Sequence, residues 1–265
     1  MPRQPALSFA ERYGPWALVT GCSAGIGREF ARQLAERGLD LVLLARREAL
    51  LRTLAAELQR DFGIRTHVVV CDLARADFLA DVVAGCADLP IGLLVNNAGA
   101  PSFHGRFLSR SPGEIERAMH FGVHVQVQLI RHFAAPMAAR GHGGIIQVSS
   151  ITGHMSMPFM AEYSASKAYQ LTLGEALHYE LRDHGVDVLV LSPSATRTER
   201  IGFGMEPAPV VAKALAALGK RPSVIPGWLN QWRAFRRRHL RTRRAALEEL
   251  GAFQRGRLRE NPPAR

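Results

Sequence analysis

The sequence predicts a three-layer α/β/α fold built on a doubly wound parallel sheet. Short apolar runs recur along the chain, and several are hydrophobic at every position, as in LDLVLLA at 39–45. Segments with helical periodicity separate these runs. No internal repeat or long linker interrupts the alternation. Strands that are apolar on both faces are typical of a parallel sheet covered by helices on both sides, so we expect a single domain.

Each element follows from a local pattern. Ile26, Phe30 and Leu34 recur every four residues, and Gly38 ends the helix that they define. The same reasoning predicts strands at 16–20, 39–45, 66–73, 91–99, 143–150 and 186–193, and helices at 26–37, 46–62, 78–86, 113–140 and 161–184. Glycine, proline and apolar residues mix at about 199–226, which predicts a loop-and-helix flap over the sheet. The expected units are residues 1–230, including the flap, and a basic helical extension at 231–265.

Composition limits the classes of function. Of the 265 residues, 47% are hydrophobic and 22% are charged, and no apolar run is long enough to span a membrane. The net charge of +11 is uneven: residues 221–260 contain eleven arginines and three acids, whereas residues 1–220 contain 22 basic and 20 acidic residues. A nucleic-acid-binding domain is therefore not indicated. Three cysteines without metal-ligand spacing and a start without a secretory signal favour reduced thiols and a cytoplasmic location.

The turn after the first strand reads TGCSAGIG, with Gly21, Gly25 and Gly27. Glycines there allow a sharp turn and a close approach of the backbone to a pyrophosphate. The N-terminus of the next helix, near Ile26, directs free N–H groups and a positive dipole end at such an anion. A plain strand-to-helix turn is the alternative interpretation.

The end of the second strand indicates which nicotinamide cofactor is bound. An acidic residue there would bond a ribose 2′-hydroxyl, whereas an arginine would suit a 2′-phosphate. The strand ends LLARR, with Arg46 and Arg47, so NADP(H) is preferred over NAD(H). Two solvated arginines that open a helix are the alternative. Asp72 ends the third strand, where it would meet the adenine or cap the next helix.

Tyr163 and Lys167 stand four residues apart in YSASK, at a predicted helix start. Residues at this spacing share a helix face, so the phenol and the ammonium project into one cleft. A nearby cation favours the phenolate and lowers the tyrosine pKa, which allows proton exchange with a carbonyl or alcohol oxygen near neutral pH. Ser150, at the tip of the fifth strand, can hold the same oxygen. A surface helix pair is the alternative.

Four motifs, TGCSAGIG, NNAG at 96–99, VSS at 148–150 and YSASK, occur in the order and spacing of the short-chain dehydrogenase/reductase family, which the sequence resembles from about Gly14 to Thr198. The resemblance implies a Rossmann-type dinucleotide-binding catalytic domain, with Tyr163 as acid/base, Ser150 on the substrate oxygen, and Lys167 on the tyrosine and the nicotinamide ribose. The residues expected to bind the cofactor are Gly21, Ser23, Gly25, Ile26, Gly27, Arg46, Asp72, Leu73, Asn96, Ala98, Tyr163, Lys167, Ala195, Thr196 and Thr198. No metal ligands are expected.

The sequence departs from the family pattern at two positions. Pro193 is followed by Ser194 where the family usually has glycine, in the segment expected to face the nicotinamide carboxamide. Gly122 stands where the family often places an asparagine that supports a water-mediated proton relay to the lysine. Of the two asparagines in NNAG, Asn96 resembles the cofactor-contacting residue, and we expect Asn97 to tie neighbouring strands together.

The resemblance favours an enzyme that transfers hydride between NADP(H) and a hydrophobic ketone or secondary alcohol. Met155, Met157, Phe159 and Met160, with Phe203 and Met205 of the flap, would line an apolar pocket. Two alternatives stay open: a 3-ketoacyl-thioester reductase, and a catalytically weak NADP(H)-sensing protein. The resemblance also implies a homodimer or homotetramer, formed through helices 113–140 and 161–184.

The arginine-rich tail allows three interpretations. Trp228, Trp232, Phe235 and Leu240 form a partial apolar stripe beside seven arginines. The segment is a solvated helix docked on the body, a basic amphipathic helix on anionic lipid, or a recognition element for an acidic carrier or nucleic acid.

Overall fold

The computed structural model describes residues 7–99, 104–199 and 201–260, with side chains through residue 258. Seven strands form one sheet: β1 Trp16–Thr20, β2 Asp40–Ala45, β3 Thr66–Val70, β4 Ile91–Asn96, β5 Gly143–Val148, β6 Val186–Leu191 and β7 Ser223–Val224. Their order is β3-β2-β1-β4-β5-β6-β7, and every pairing is parallel. This is the doubly wound sheet that the sequence predicts.

Ten α-helices accompany the sheet in the described residues: α1 Phe9–Tyr13, α2 Gly25–Ala35, α3 Glu48–Phe62, α4 Phe78–Cys86, α5 Pro112–Met119, α6 Val125–Arg140, α7 Ala161–Glu180, α8 Pro207–Ala217, α9 Trp228–His239 and α10 Arg243–Glu260. Side chains from α2, α3 and α8 form one buried cluster with Ala17 and Val19 of β1. Side chains from α4, α6 and α7 pack on the opposite face with Trp16 and Leu18. Successive residues of a strand point to opposite faces, so the alternation along β1 supplies both cores and confirms the three layers.

Two segments differ in detail from the prediction. The helix expected at 113–140 is divided, because a π-helical turn at His120–His124 separates α5 from α6. In the predicted flap, α8 is packed into one core through Val210 and Val211, and β7 extends the sheet beyond β6. Residues 207–224 therefore belong to the layered body.

The tail forms the two helices α9 and α10, which pack on the body. Ala234 of α9 and Leu250 of α10 are buried. Glu249 of α10 bridges Arg236 and Arg237 of α9 at 2.8 and 2.9 Å and so joins the two helices. In the part of the chain that the structure describes, no helix is long and apolar enough to cross a membrane.

Candidate active site

The strand order reverses between β1 and β4. The segments that follow these two parallel strands therefore leave the sheet at the same edge. The glycine turn follows β1, and the NNAG segment follows β4. The amide of Asn97 joins the two, since Nδ2 donates to the Thr20 carbonyl at 2.9 Å and to the Gly21 carbonyl at 3.4 Å. The topology thus creates a crevice at the carboxyl edge, where open α/β sheets bind their ligands.

The glycines of the turn are required by the local geometry. Gly25 has φ of +55°, and a Cβ there would lie 2.7 Å from Cγ2 of Thr198. A Cβ on Gly27 would collide with the carbonyl of Gly21, so α2 can begin this close to the turn only with glycine. The N-terminus of α2 therefore faces the crevice without side chains in front of it, which suits a bound phosphate.

A cavity of about 450 Å³ occupies the crevice. Ten of the residues that the sequence assigns to cofactor binding line it: Gly21, Ser23, Gly25, Ile26, Gly27, Arg46, Asp72, Leu73, Ala98 and Thr198. Asn97, Gly99 and Phe121 line it as well, although sequence reasoning did not assign them to the cofactor. The lining comes from the glycine turn, the ends of β2 and β3 and the NNAG segment, a set of elements that suits a dinucleotide.

Two arginines stand where the cavity meets the end of β2. Arg46 and Arg47 are exposed and line the cavity, and Nη2 of Arg47 donates to Oγ of Ser23 at 3.1 Å. The hydrogen bond draws the Arg47 guanidinium across the cavity toward the glycine turn. Asp72 also lines the cavity, and its carboxylate accepts a hydrogen bond from the Ala74 amide at 3.1 Å, so it shapes a turn rather than capping α4.

Ser150, Tyr163 and Lys167 come together beyond the NNAG segment. Ser150 follows β5, its Oγ accepts a hydrogen bond from the Thr152 amide at 3.2 Å, and it lies beside the side chain of Tyr163, which is partly exposed. Nζ of Lys167 lies 5.7 Å from the centre of the Tyr163 ring. A Cβ built on Gly99, which lines the cavity, would lie 3.8 Å from the same nitrogen. The three side chains predicted from the YSASK and VSS motifs are therefore grouped beside Gly99, although Ser150, Tyr163 and Lys167 do not themselves line the cavity.

The electrostatics of the group differ from the expectation in one respect. Burial raises the pKa of Tyr163, and the hydrogen bond with Ser150 only partly offsets this effect. Burial also lowers the pKa of Lys167 to about 8. The Lys167 ammonium donates to the Val148 carbonyl and to Oε1 of Gln170, each at 3.0 Å, so its charge is directed at those oxygens. Desolvation therefore outweighs the expected acidification of the tyrosine.

The structure corrects the expectation for the two asparagines. Asn96 is fully buried, and its Nδ2 donates to the Gln126 carbonyl at 3.1 Å and to Oε1 of Gln147 at 3.0 Å. Its side chain points into the sheet-to-helix packing, whereas Asn97 is the one that lines the cavity. Asn97 also ties β1 to the end of β4, in agreement with the structural task expected of it.

The segment after β6 is also placed differently from the expectation. Ala195 and Thr196 do not line the described cavity, although Thr198 does. The Ala195 carbonyl accepts from the Met205 amide at 2.9 Å, and the Thr196 hydroxyl donates to the Ser194 carbonyl at 3.0 Å. This pairing with Met205 fixes the backbone that leads to Thr198.

The side chains expected to line one apolar pocket are divided among different surroundings. Met155 and Met157 line a groove of about 680 Å³ between α7 and the tail helices. Met160 is buried, with its sulfur 3.2 Å from Nε2 of Gln254 in α10. Met205 packs against the core on the α2 side, and Phe203 is exposed near Arg257. The tail thus covers the segment that precedes Tyr163, a contact that sequence patterns did not indicate.

Among the described residues, no group of three or more His, Cys, Asp or Glu side chains is arranged to hold a metal ion. The three cysteines, Cys22, Cys71 and Cys86, are unpaired and buried. Burial raises the pKa of Cys22 to about 12, so the thiol of the glycine turn stays protonated near neutral pH.

Comparison with known proteins agrees with this geometry. The family model for short chain dehydrogenases matches residues 15–202. A 7beta-hydroxysteroid dehydrogenase of Clostridium sardiniense is 30% identical over 236 residues, which cover 85% of this chain and 90% of that protein. A solved structure of a 7beta-hydroxysteroid dehydrogenase superimposes with a TM-score of 0.87 at 29% identity, covering 92% of this chain and 100% of that one. A short-chain dehydrogenase from Sphingobium yanoikuyae in complex with NADPH gives a TM-score of 0.74 at 30% identity, covering 95% and 98% of the two chains.

A parallel sheet with a glycine turn at its switch point and a Ser–Tyr–Lys group at the same edge defines a nucleotide-dependent oxidoreductase fold. The chain belongs to the short-chain dehydrogenase/reductase family and is an NAD(P)-dependent enzyme of that family.

Proposed function

We propose that this enzyme transfers a hydride between NADP(H) and a hydrophobic ketone or secondary alcohol, with Tyr163 as acid/base. The observation that carries the proposal is that Ser150, Tyr163 and Lys167 are grouped beside Gly99, which lines the cavity. The nicotinamide, when bound, supplies the hydride. The glycine turn, the start of α2 and Asn97 fit the diphosphate portion of such a cofactor, because they leave backbone N–H groups and a narrow gap free of side chains.

The protein side chains then manage the substrate oxygen. Ser150 donates a hydrogen bond to that oxygen and positions it against the Tyr163 hydroxyl. Tyr163 gives its proton to the oxygen during reduction and takes it back during oxidation. The Lys167 ammonium stabilises the phenolate that forms, in a site that is largely desolvated.

A preference for NADP(H) follows from charge at the end of β2. Arg46 and Arg47 line the cavity, and the Arg47 guanidinium is already drawn toward Ser23. Two cations and a hydroxyl at this place suit a 2′-phosphate, whereas a cofactor with a free 2′-hydroxyl gains little from them. The NADPH complex of the Sphingobium yanoikuyae relative supports this assignment.

The hydrophobic character of the substrate is supported by the relatives and by composition. The similar Clostridium sardiniense protein is by name a hydroxysteroid dehydrogenase, which indicates a bulky apolar alcohol or ketone. Phe159, four residues before Tyr163, is an aromatic side chain in the segment that leads to the tyrosine. A 3-ketoacyl thioester remains an alternative substrate, and an NADP(H)-sensing protein with little turnover remains the alternative of another class.

One assay separates these possibilities. Purified protein is mixed with NADPH or NADH and a panel containing steroid ketones, aromatic ketones and a 3-ketoacyl thioester, while the absorbance of the reduced nicotinamide is followed. We expect NADPH-dependent reduction of a bulky ketone. Turnover restricted to the thioester would favour the ketoacyl reductase, and cofactor binding without turnover of any compound would favour the sensor.

We also propose that the enzyme is a homo-oligomer joined through α6 and α7. An almost wholly apolar groove of about 290 Å³ runs between these helices and is lined by Val127, Ile130, Leu173 and Leu177 among others. Exposed apolar grooves of this kind are typical of subunit contacts. Light scattering after gel filtration tests the assignment, and Leu177→Glu should shift the protein toward monomer. A monomeric wild-type protein would contradict it.

For residues 231–265 we propose a helical extension with a peripheral lipid-contacting face, appended to the catalytic domain at 1–230. Trp228, Trp232 and Phe235 lie along one face of α9 and are 77%, 50% and 48% exposed, while Ala234 faces the body. Arg233 and Arg238 flank this face and are exposed. Exposed tryptophans beside arginines suit the headgroup region of an anionic bilayer. Like charge makes a second copy of the same face a poor partner.

Liposome flotation tests the lipid contact. The wild-type protein should float with vesicles that contain phosphatidylserine and remain in solution with neutral vesicles. Trp228→Ser with Trp232→Ser should abolish flotation, whereas Phe253→Ser, which removes an exposed aromatic residue from α10, should not. Equal behaviour of wild type and the double variant would contradict the proposal.

A further inference from the structure

We propose that Gln170 is the positioning residue for the Lys167 ammonium and that its amide takes the place of a water relay at this side of the lysine. The proposal deepens the proposed function, because it explains how the lysine is held at the site. Gln170 is 1% exposed and follows Lys167 by three residues on α7, so the two side chains share a helix face.

Both ends of the Gln170 amide are bonded. Oε1 accepts from Nζ of Lys167 at 3.0 Å, and Nε2 donates to the carbonyl of Gly122 at 2.8 Å. The orientation of the amide is determined by its partners, since an ammonium can only donate and a carbonyl can only accept. A flipped amide would direct its nitrogen at the ammonium and its oxygen at the Gly122 carbonyl, so it could form neither hydrogen bond. Gln170 therefore forms a fixed bridge between Lys167 and the π-helical turn.

Glycine at position 122 makes this bridge possible. A Cβ built on Gly122 would lie 2.5 Å from Cβ and 2.8 Å from Oγ of Ser166, so any larger residue would separate the turn from α7. The close approach brings the Gly122 carbonyl within reach of Gln170. The absence of the asparagine that the family often has here is thus coupled to a compensating residue one turn beyond Ser166.

The bridge leaves one direction open at the ammonium. Two of its three N–H bonds are directed at Val148 and Gln170. The third is left for the side where Gly99 lines the cavity. Ser149 reinforces this placement, because its hydroxyl donates to the Lys167 carbonyl at 2.7 Å and holds the backbone of α7 at this residue.

The chemical nature of the bridge determines what it can do. A carboxamide does not ionise near neutral pH, and the chain from Lys167 through Gln170 ends at a backbone carbonyl. It can hold and orient the lysine, but it provides no route for a proton to bulk water. Protons consumed at Tyr163 therefore reach the site from the open side of the cleft. Tyr163 is a titratable side chain beside Lys167, with Nζ of the lysine 5.7 Å from the centre of its ring.

Three substitutions test the proposal. Gln170→Met keeps the volume and removes both hydrogen bonds, and we expect kcat for ketone reduction to fall about tenfold or more, the effect of losing one hydrogen bond to a charged group. The affinity for NADPH, measured by fluorescence titration, should change little. Gln170→Glu keeps the contact with the ammonium but loses the donor to the Gly122 carbonyl, so it should recover only part of kcat. It should move the alkaline limb of the pH–rate profile to higher pH, because a carboxylate favours the ammonium form. Gln59→Met is the matched control and should leave kcat unchanged. It removes an exposed amide on α3 that donates to the hydroxyl of Thr66, at the start of β3.

A purely structural role predicts a different pattern. Gln170→Met would then lower the melting temperature but leave kcat and the pH profile unchanged, and this result would overturn the proposal. If Gln170→Met does not fold, Gln170→Glu alone decides. An alkaline limb of its pH–rate profile that stays at the wild-type pH would also overturn the proposal. A double-mutant cycle on urea unfolding, with Gln170→Met and Lys167→Met, gives a readout that needs no turnover. Coupling without any ketone reduction by wild type would preserve the bridge and refute the proposed function.

Discussion

Gly122→Ala tests the packing that brings the Lys167 site together. The added Cβ would lie 2.5 Å from Cβ of Ser166, about 1 Å closer than an ordinary contact, so the π-helical turn and α7 must move apart. Overpacking of this kind costs about 1–3 kcal/mol. The gain in helix propensity returns at most about 1 kcal/mol. We therefore expect a net loss of about 1–2 kcal/mol in the free energy of unfolding, or a melting temperature lower by about 2–8 °C.

Urea denaturation and thermal melting measure this loss, and two further variants identify its cause. Ser166→Gly removes the two atoms that the new Cβ would meet, so the double variant should show a favourable coupling of about 1 kcal/mol or more. Gly256→Ala on α10 is the matched control, because, among the described residues outside its own helix backbone, no atom lies within 4 Å of its added Cβ. It should be neutral or slightly stabilising. Equal stability of Gly122→Ala and wild type, or zero coupling with Ser166→Gly, would refute the close approach.

Three further predictions concern charge. Arg47→Ala should raise KM for NADPH about tenfold or more and leave KM for NADH nearly unchanged, since one charge-assisted contact with the 2′-phosphate is lost. Steady-state kinetics with both cofactors measure this difference. An equal change in the two KM values would contradict a contact between Arg47 and a 2′-phosphate. Burial lowers the pKa of Lys167 to about 8, whereas the unfolded chain keeps a pKa of about 10.4. Between these values the unfolded state binds more protons, so wild-type stability should rise from about pH 8 to about pH 10. The urea midpoint of the wild type should show this rise, and that of Lys167→Met should not. An identical pH dependence in the two proteins would contradict the assignment of the rise to Lys167. Glu162→Ala breaks a buried ion pair with Arg110 at 2.6 Å and should lower the free energy of unfolding by about 3 kcal/mol or more. Glu48→Ala breaks an exposed pair with Arg52 and should lower it by less than about 1 kcal/mol. Similar losses for the two variants in urea denaturation would argue against the buried pair.

The alternation of apolar runs and helical segments was sufficient to predict the fold class and the positions of the first six strands along the chain. The seventh strand was not predicted, because Ser223 and Val224 are too few residues to show a period of two. The π-helical turn was also missed, since its residues, HFGVH, have no periodicity that distinguishes them from the α-helix on either side.

The group of Ser150, Tyr163 and Lys167 was predictable, because Tyr163 and Lys167 are four residues apart on one helix and Ser150 lies just after the end of a strand. Gln170 was not recognised, although its position three residues after Lys167 was visible, because its second partner is 48 residues away in sequence. Asn96 was assigned to the cavity, and the place of Asn97 there was missed, for a different reason. Neighbouring residues at a strand end point to opposite faces, and the sequence does not say which face meets the cavity.

The most direct test of the central claim is the effect of Tyr163→Phe on turnover and on cofactor affinity. NADPH-dependent reduction of the best ketone from the panel is measured by nicotinamide absorbance, and NADPH binding is measured by fluorescence titration. Removal of the proton donor should lower kcat by about 100-fold or more while the dissociation constant for NADPH stays nearly unchanged. Wild-type turnover by Tyr163→Phe would contradict the assignment of this phenol as the acid/base of the reaction.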